Sequence, residues 1–271
     1  MHADSYDRMQ LRADLARAVE QEQFVAHYQP VVDISTRRIV GAEALIRWEH
    51  PERGLLGPNL FIPLAEETGL IGDLGEWILS RACRDLVSWR ESFGEAVSKF
   101  TMSVNLSVQQ LHDDDIVEKV SDTLARTGLP AERLVLEVTE STLITDTERI
   151  RATMERLRGL GSRLAVDDFG TGYSSLGYIQ QFEFDVLKID KSFVDALETH
   201  TNRRVISAVL ELARQLDVRT IAEGIESELQ ADLLEDLGCA LGQGYFYSRP
   251  VPATAFVELL ANATDSSRVR L

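Results

Sequence analysis

The chain has 271 residues, 44% of them hydrophobic, with 28 lysines and arginines against 44 acids and a formal charge of −16. That length and apolar content suffice for one sizeable core, and the acidic balance argues against non-specific binding to DNA. No run of about 18 apolar residues occurs, so no membrane-spanning helix is expected, and Met1 to Asp7 lacks the basic-then-apolar order of a secretory signal.

In chain order, an amphipathic helix is expected first, from Met9 to Gln21, through Leu11, Leu15 and Val19. Strand-like runs follow near Phe24–Tyr28, Ile39–Leu45, Phe100–Leu106 and Leu134–Thr139, then near Arg163–Asp168, Val186–Ile189, Val218–Ala222 and Cys239–Tyr245. Helical spacing separates them, in faces of Ile78, Ala82, Leu86 and Trp89; of Val117, Val120 and Leu124; of Ile150, Met154 and Leu157; and of Val205, Val209, Leu212 and Leu216. Gly128 and Gly159 to Gly161 are helix stops, and Asp113 to Asp115 read as N-terminal capping residues. Cys83 and Cys239 fall in apolar elements and read as buried thiols, which fits a reduced, cytoplasmic setting. Eight strands alternating with helices predict a closed β/α barrel of the TIM type, with an open doubly wound sheet as the alternative. The organisation expected is a linker helix and barrel entry over 1–21, the barrel over 22–261, and a polar, disordered tail over 262–271.

Polar residues collect where these strands end. Glu43, Asn105, Glu137, Asp167 with Asp168, Lys188 with Asp190, Glu223 and Gln243 each fall late in a different run. A closed barrel brings such ends to one mouth. Bare carboxylates at ~4 Å repel by about 4 kcal/mol per pair at an effective dielectric near 20. Hard divalent cations relieve this, and a donor set of oxygens without His or Cys favours Mg²⁺ or Mn²⁺ over zinc. Taken singly, a strand-end Glu is more often a cap or a surface ion pair, and a lone Lys a surface residue. Asp168 opens a Gly- and Ser-rich stretch to Leu176, equally suited to a phosphate cradle, a lid or a packing loop.

The ordered set of motifs resembles the EAL-domain cyclic di-GMP phosphodiesterases. It comprises Tyr28-Gln29-Pro30, Glu43-Ala44-Leu45 with Arg47, Phe61 to Glu66, Asn105-Leu106-Ser107, Glu137 to Glu140, Asp167 to Gly170, Lys188-Ile189-Asp190, Ala222-Glu223-Gly224 and Gln243-Gly244-Tyr245. The resemblance implies a barrel whose first strand runs antiparallel to the others. It implies two metal ions, Mg²⁺ or Mn²⁺, one on Glu43, Asn105, Glu137 and Asp167, the other on Asp167, Asp168 and Glu223. Lys188 would contact the attacking water. Gln29, Leu45, Arg47, Asp190 and Gln243 match substrate-contacting or supporting positions, Pro58 and Tyr247 lie near the bases, and Glu140 anchors the loop after Asp168. The reaction implied is hydrolysis of cyclic di-GMP to linear pGpG, by a homodimer fused to a diguanylate-cyclase or sensory domain. Two other readings are a receptor that binds cyclic di-GMP without cleaving it, and a barrel enzyme in which Lys188 abstracts a proton and a metal steadies an enolate.

Overall fold

The computed structural model describes residues 2–144, 147–170, 182–197 and 199–264. Eight strands close into a barrel: β1 (Phe24–Asp33), β2 (Ile39–His50), β4 (Thr101–Asn105), β5 (Leu134–Thr139), β6 (Arg163–Phe169), β7 (Val186–Ile189), β8 (Arg219–Ala222) and β9 (Leu241–Gly242). Two short strands outside the ring, β3 (Gly54–Leu56) and β10 (Val251–Pro252), pair with β2 and β1. Neighbours from β2 to β9 run parallel, whereas β1 is antiparallel to both β2 and β9. The expected barrel and its reversed first strand are both present.

Helices sheathe the barrel, and their inner faces meet the outward side chains of the strands. Ile78, Ala82, Leu86 and Trp89 are buried as their spacing predicts, as are Ile150, Met154 and Leu157. In the helix His200–Gln215 the expected face is rotated: Val205 and Leu216 are exposed, and Ile206, Leu210 and Ala213 point inward. The acids before the helix Ile116–Thr127 depart from expectation too. Asp115 is its N-cap without a side-chain capping bond, and it pairs instead with Lys119, as does Asp113, while Asp114 meets Arg149. Both cysteines are buried and unbridged, and burial pushes their thiols up, Cys83 to about 12 and Cys239 to about 11. No helix among the described residues is long and apolar enough to cross a membrane.

Inside the barrel a second, smaller core of Val31, Val135, Ala165, Val186 and Ile221 is flanked by Val40 and Leu241. This layer is the floor beneath the mouth. Strand side chains alternate with period two, so one step of two residues toward the mouth leads from six of these seven residues to a polar one. Val135 leads to Glu137, Ala165 to Asp167, Val186 to Lys188, Ile221 to Glu223 and Leu241 to Gln243, and on the reversed β1 Val31 leads back to Gln29. The apolar floor thereby excludes water from below the polar ring.

Candidate active site at the barrel mouth

Lys188 is the centre of that ring and is 1% exposed. Its Nζ lies 2.5 Å from Glu137 Oε2, 2.8 Å from Glu223 Oε1, 3.2 Å from Asp167 Oδ1 and 3.3 Å from Glu43 Oε2. Glu43 also accepts from Asn105 Nδ2 at 2.7 Å and from Gln243 Nε2 at 2.7 Å. Gln243 Nε2 donates in addition to Gln29 Oε1 at 3.0 Å, and Gln29 Nε2 to the Ser248 carbonyl at 3.1 Å. Residues on or directly after all eight barrel strands are thus joined in one network, Glu43 and Gln243 being its bridge between Lys188 and Gln29.

Asp168 enters by a different device. Ideal alternation turns it away from Asp167, but the β6–β7 register shifts between Val166 and Phe169, and Asp168 takes a left-handed conformation with φ of +54°. A bulge of this kind re-aims side chains. The ligand atoms of Asp167, Asp168 and Glu223 consequently lie within 4.8 Å of one another, a grouping that could hold a metal ion. Immediately after, the Gly170 N–H donates to Glu140 Oε2 at 2.8 Å. Gly170 has φ of +99°, and a Cβ there would stand 2.4 Å from Phe193. The remainder of the Gly- and Ser-rich stretch, 171–176, is outside the described residues.

One ammonium cannot satisfy so many carboxylates equally. Burial works against the charged form of Glu43, but the Lys188 charge with the Gln243 and Asn105 hydrogen bonds outweighs it and holds the carboxyl below its ordinary value. Glu137 has the same lysine but no such amides. Burial, with the charges of Glu43 and Asp167, drives it well above the usual carboxylate range. Glu223 is pushed up to about 8, first by burial and then by Asp167 and Glu43, and Asp168 is raised by burial and by Asp167 and Asp190. Burial opposes the charge on Lys188, yet the surrounding carboxylates raise it well above the ordinary lysine value. The site therefore carries more negative charge than its own cation balances.

Among the described residues, two clefts that Glu43 and Leu45 both line open from this centre. The smaller, about 270 Å³, runs toward Gln29, Glu223, Gln243 and Tyr245. The larger, about 600 Å³, runs past Asn105, Asp167 and Asp168 to Pro58 and Glu66. Three further expected residues line neither cleft. Asp190 caps the short helix Lys191–Asp195 by accepting from the Ser192 N–H at 3.0 Å. Half-buried Arg47 donates to the Ile46 carbonyl at 2.9 Å. Tyr247 lines neither cleft: its ring packs on Phe246, and its hydroxyl accepts from Arg37 at 3.2 Å. Tyr245 lines the smaller cleft, with the Arg249 guanidinium 4.3 Å above its ring.

The model of the EAL domain matches residues 12–250. The chain belongs to the EAL domain family. Among curated EAL relatives it is 41% identical, over 96% of its length, to the bifunctional diguanylate cyclase/cyclic di-GMP phosphodiesterase MucR of Pseudomonas aeruginosa. It is 43% identical, over 92% of its length, to an uncharacterized signaling protein of Caulobacter vibrioides. The chain spans 38% and 30% of the lengths of these two relatives. Among solved structures, the MucR phosphodiesterase in complex with c-di-GMP superposes with a TM-score of 0.86 at 42% identity, covering 91% of this chain and 99% of that one. The EAL enzyme Bd1971, in a form bound to cAMP and cyclic-di-GMP, gives 0.90 at 35% identity, covering 95% and 70%.

Proposed function

We propose that this EAL domain hydrolyses one phosphodiester bond of cyclic di-GMP to give linear pGpG, with two hard divalent cations, Mg²⁺ or Mn²⁺. The observation that carries the reading is the ring itself: Glu43, Glu137, Asp167, Asp168 and Glu223 gathered at one mouth around a single buried ammonium. The donor chemistry fits such ions. All of these donors are carboxylate oxygens, joined by the amide of Asn105, and the elevated carboxyls of Glu137 and Glu223 register an unmet demand for positive charge. Glu43, Asn105, Glu137 and Asp167 would hold one ion, and Asp167, Asp168 and Glu223 the other. When bound, the ions would lower the pKa of water and offset charge on the phosphoryl oxygens.

The chain's own groups supply the rest. Lys188 is fixed by its carboxylate partners and shielded from solvent, so it presents a preorganised donor that can orient the attacking water. Glu223, beside Asp167 and Asp168, would be placed to accept a proton from that water. Leu45 and Pro58 offer apolar walls to the nucleotide, and Gln29 and Gln243 offer polar groups on the opposite side. The MucR complex supports the choice of ligand, and the dual name of MucR supports a full-length protein in which the helix His2–Glu20 links this barrel to a cyclase or sensory domain. A homodimer belongs to the same proposal.

Incubation of the protein with cyclic di-GMP and Mg²⁺ or Mn²⁺, followed by chromatography, tests the reading and should yield pGpG. Glu43→Ala should lower turnover by orders of magnitude with an unchanged circular dichroism spectrum, because it removes both a ligand and the link from Gln243 to Lys188. Binding of cyclic di-GMP without product would leave a receptor in place of an enzyme. Full activity in Glu43→Ala would refute the ligand assignment.

A further inference from the structure

Asn105, the last residue of β4, is exposed, and its amide donates to Glu43 at 2.7 Å. An exposed side chain at a strand end keeps its aim only where its backbone is fixed by what lies behind it. Beyond Asn105 the backbone is committed residue by residue. Leu106, 4% exposed, donates its N–H to the Glu137 carbonyl at 2.8 Å, which ties Asn105 to the strand of another ring acid. Ser107 donates its N–H to Gln110 Oε1 at 3.1 Å, and Ser107 Oγ accepts from the Gln110 N–H at 3.2 Å, a reciprocal cap on the one-turn helix Val108–Leu111. So short a helix cannot hold itself, and the cap depends on what clamps Gln110. The clamp is Gly75, inside the helix Ile71–Phe93. The buried Gln110 amide lies so near that a Cβ on Gly75 would stand 1.9 Å from Nε2 and 2.7 Å from Cδ. Glycine is a poor residue for a helix interior, and this close approach accounts for it.

We infer that Gln110 is a positioning residue for the metal site: held between Gly75 and Ser107, it fixes the turn that aims the Asn105 amide, an inference that rests on the ion ligation proposed above. In that ligation the two ends of the amide act differently. Nδ2 donates to Glu43, so Oδ1 is the atom left to face an ion. A turn free to shift would withdraw that oxygen or rotate it away from Glu43. Groups that orient a ligand from behind contribute about ten- to a hundredfold to metal affinity. Gln110 also borders the larger cleft, so a hold on Asn105 and a contact with nucleotide are rival accounts of one residue. Binding of the metal alone separates them, because only the first account moves it.

Calorimetric titration with Mn²⁺, without nucleotide, tests this in the wild type, Gln110→Ala, Gly75→Ala, Asn105→Ala and the double variant Asn105→Ala with Gln110→Ala. Gln110→Ala removes the clamped side chain, whereas Gly75→Ala displaces it from the far side and leaves both capping residues in place. Each should weaken Mn²⁺ binding by about tenfold or more, Gly75→Ala doing so although alanine favours a helix. Asn105→Ala should weaken it at least as much. Adding Gln110→Ala to Asn105→Ala should change it by no more than about twofold, because the clamp then has no ligand to aim. Gln110→Glu keeps an acceptor for the Ser107 N–H and should bind Mn²⁺ within about threefold of the wild type. Where Gln110→Ala fails to fold, Gly75→Ala and Gln110→Glu decide. Wild-type Mn²⁺ affinity in Gln110→Ala and Gly75→Ala, with or without weaker binding of cyclic di-GMP, overturns the inference and leaves the proposed function standing. So does a further tenfold loss, or about that, in the double variant. Failure of the wild type to bind Mn²⁺ overturns both.

Discussion

Lys188 shows how much one residue carries here. Among the described residues its ammonium is the only cation in a salt bridge with Glu43, Glu137, Asp167 or Glu223, and all five groups are buried or partly buried. Removing one partner of a buried charge network leaves the others uncompensated, at a cost of about 3–5 kcal/mol. Lys188→Met, close in length and uncharged, should lower the melting temperature of the metal-free protein at pH 7 well below that of the wild type. The deficit should shrink on acidification, as the bereft carboxylates take up protons, and on adding Mn²⁺, which replaces the lost charge. A Lys188→Met protein as stable as the wild type at pH 7 without metal would contradict this account. At this scale the sequence was readable because barrel alternation is strict: Val135 before Glu137, Val186 before Lys188 and Ile221 before Glu223 announce an apolar floor and a polar rim. No such rule governs Tyr247. It lies beyond the end of β9, where the chain has left the ladder.

Among the elements, the hairpin of β1 and β2 and the bulge of β6 shape the mouth most. Only Phe24–Tyr28 and Ile39–Leu45 read as strands in the sequence, yet the ladder runs from Phe24↔Trp48 to Val32↔Ile39. The extra length comes from mutual pairing of two antiparallel neighbours and from β3, which pairs with Trp48, Glu49 and His50. These are long-range contacts that local periodicity cannot report. The rotated face of the helix His200–Gln215 has a related cause: Val205 and Ile206 are adjacent, both are apolar, and only docking on the barrel selects Ile206. The bulge was hidden as well, although the adjacent acids Asp167 and Asp168 hinted that both would serve one site. It yields a specific expectation. Asn tolerates the left-handed backbone at 168 and removes a carboxylate that burial and its neighbours Asp167 and Asp190 already disfavour. Asp168→Asn should therefore leave the metal-free melting temperature equal to or above that of the wild type, while reducing the stabilisation gained on adding Mn²⁺. A metal-induced shift identical to the wild type would place Asp168 outside the ion site.

For the whole molecule, folding and metal uptake are linked through the same protons. Glu223 titrates at about 8 in the folded, metal-free chain, against roughly 4.3 for an unperturbed glutamate. Between those values the folded protein keeps a proton that the unfolded chain has released, so stability falls as pH rises through this window. Glu137, also raised, acts in the same direction. Glu43, held low by Lys188 and its amides, acts oppositely and only in acid. A divalent ion reverses the balance, since its ligands must be deprotonated to bind. At pH 7 the ion has to displace protons from Glu223 and Glu137, and its apparent affinity should rise with pH until both are ionised. Calorimetric titration with Mn²⁺ in two buffers of different ionisation enthalpy counts those protons directly. At least one should be released per chain at pH 7, with the number declining as the pH passes about 8. The metal-free protein should lose melting temperature from pH 5 to pH 8, and the Mn²⁺-loaded protein should gain against it over the same interval. Metal binding with no proton release at pH 7 would mean that the elevated carboxyls of Glu137 and Glu223 are not the ligands, and the ion would have to be sought elsewhere on the rim.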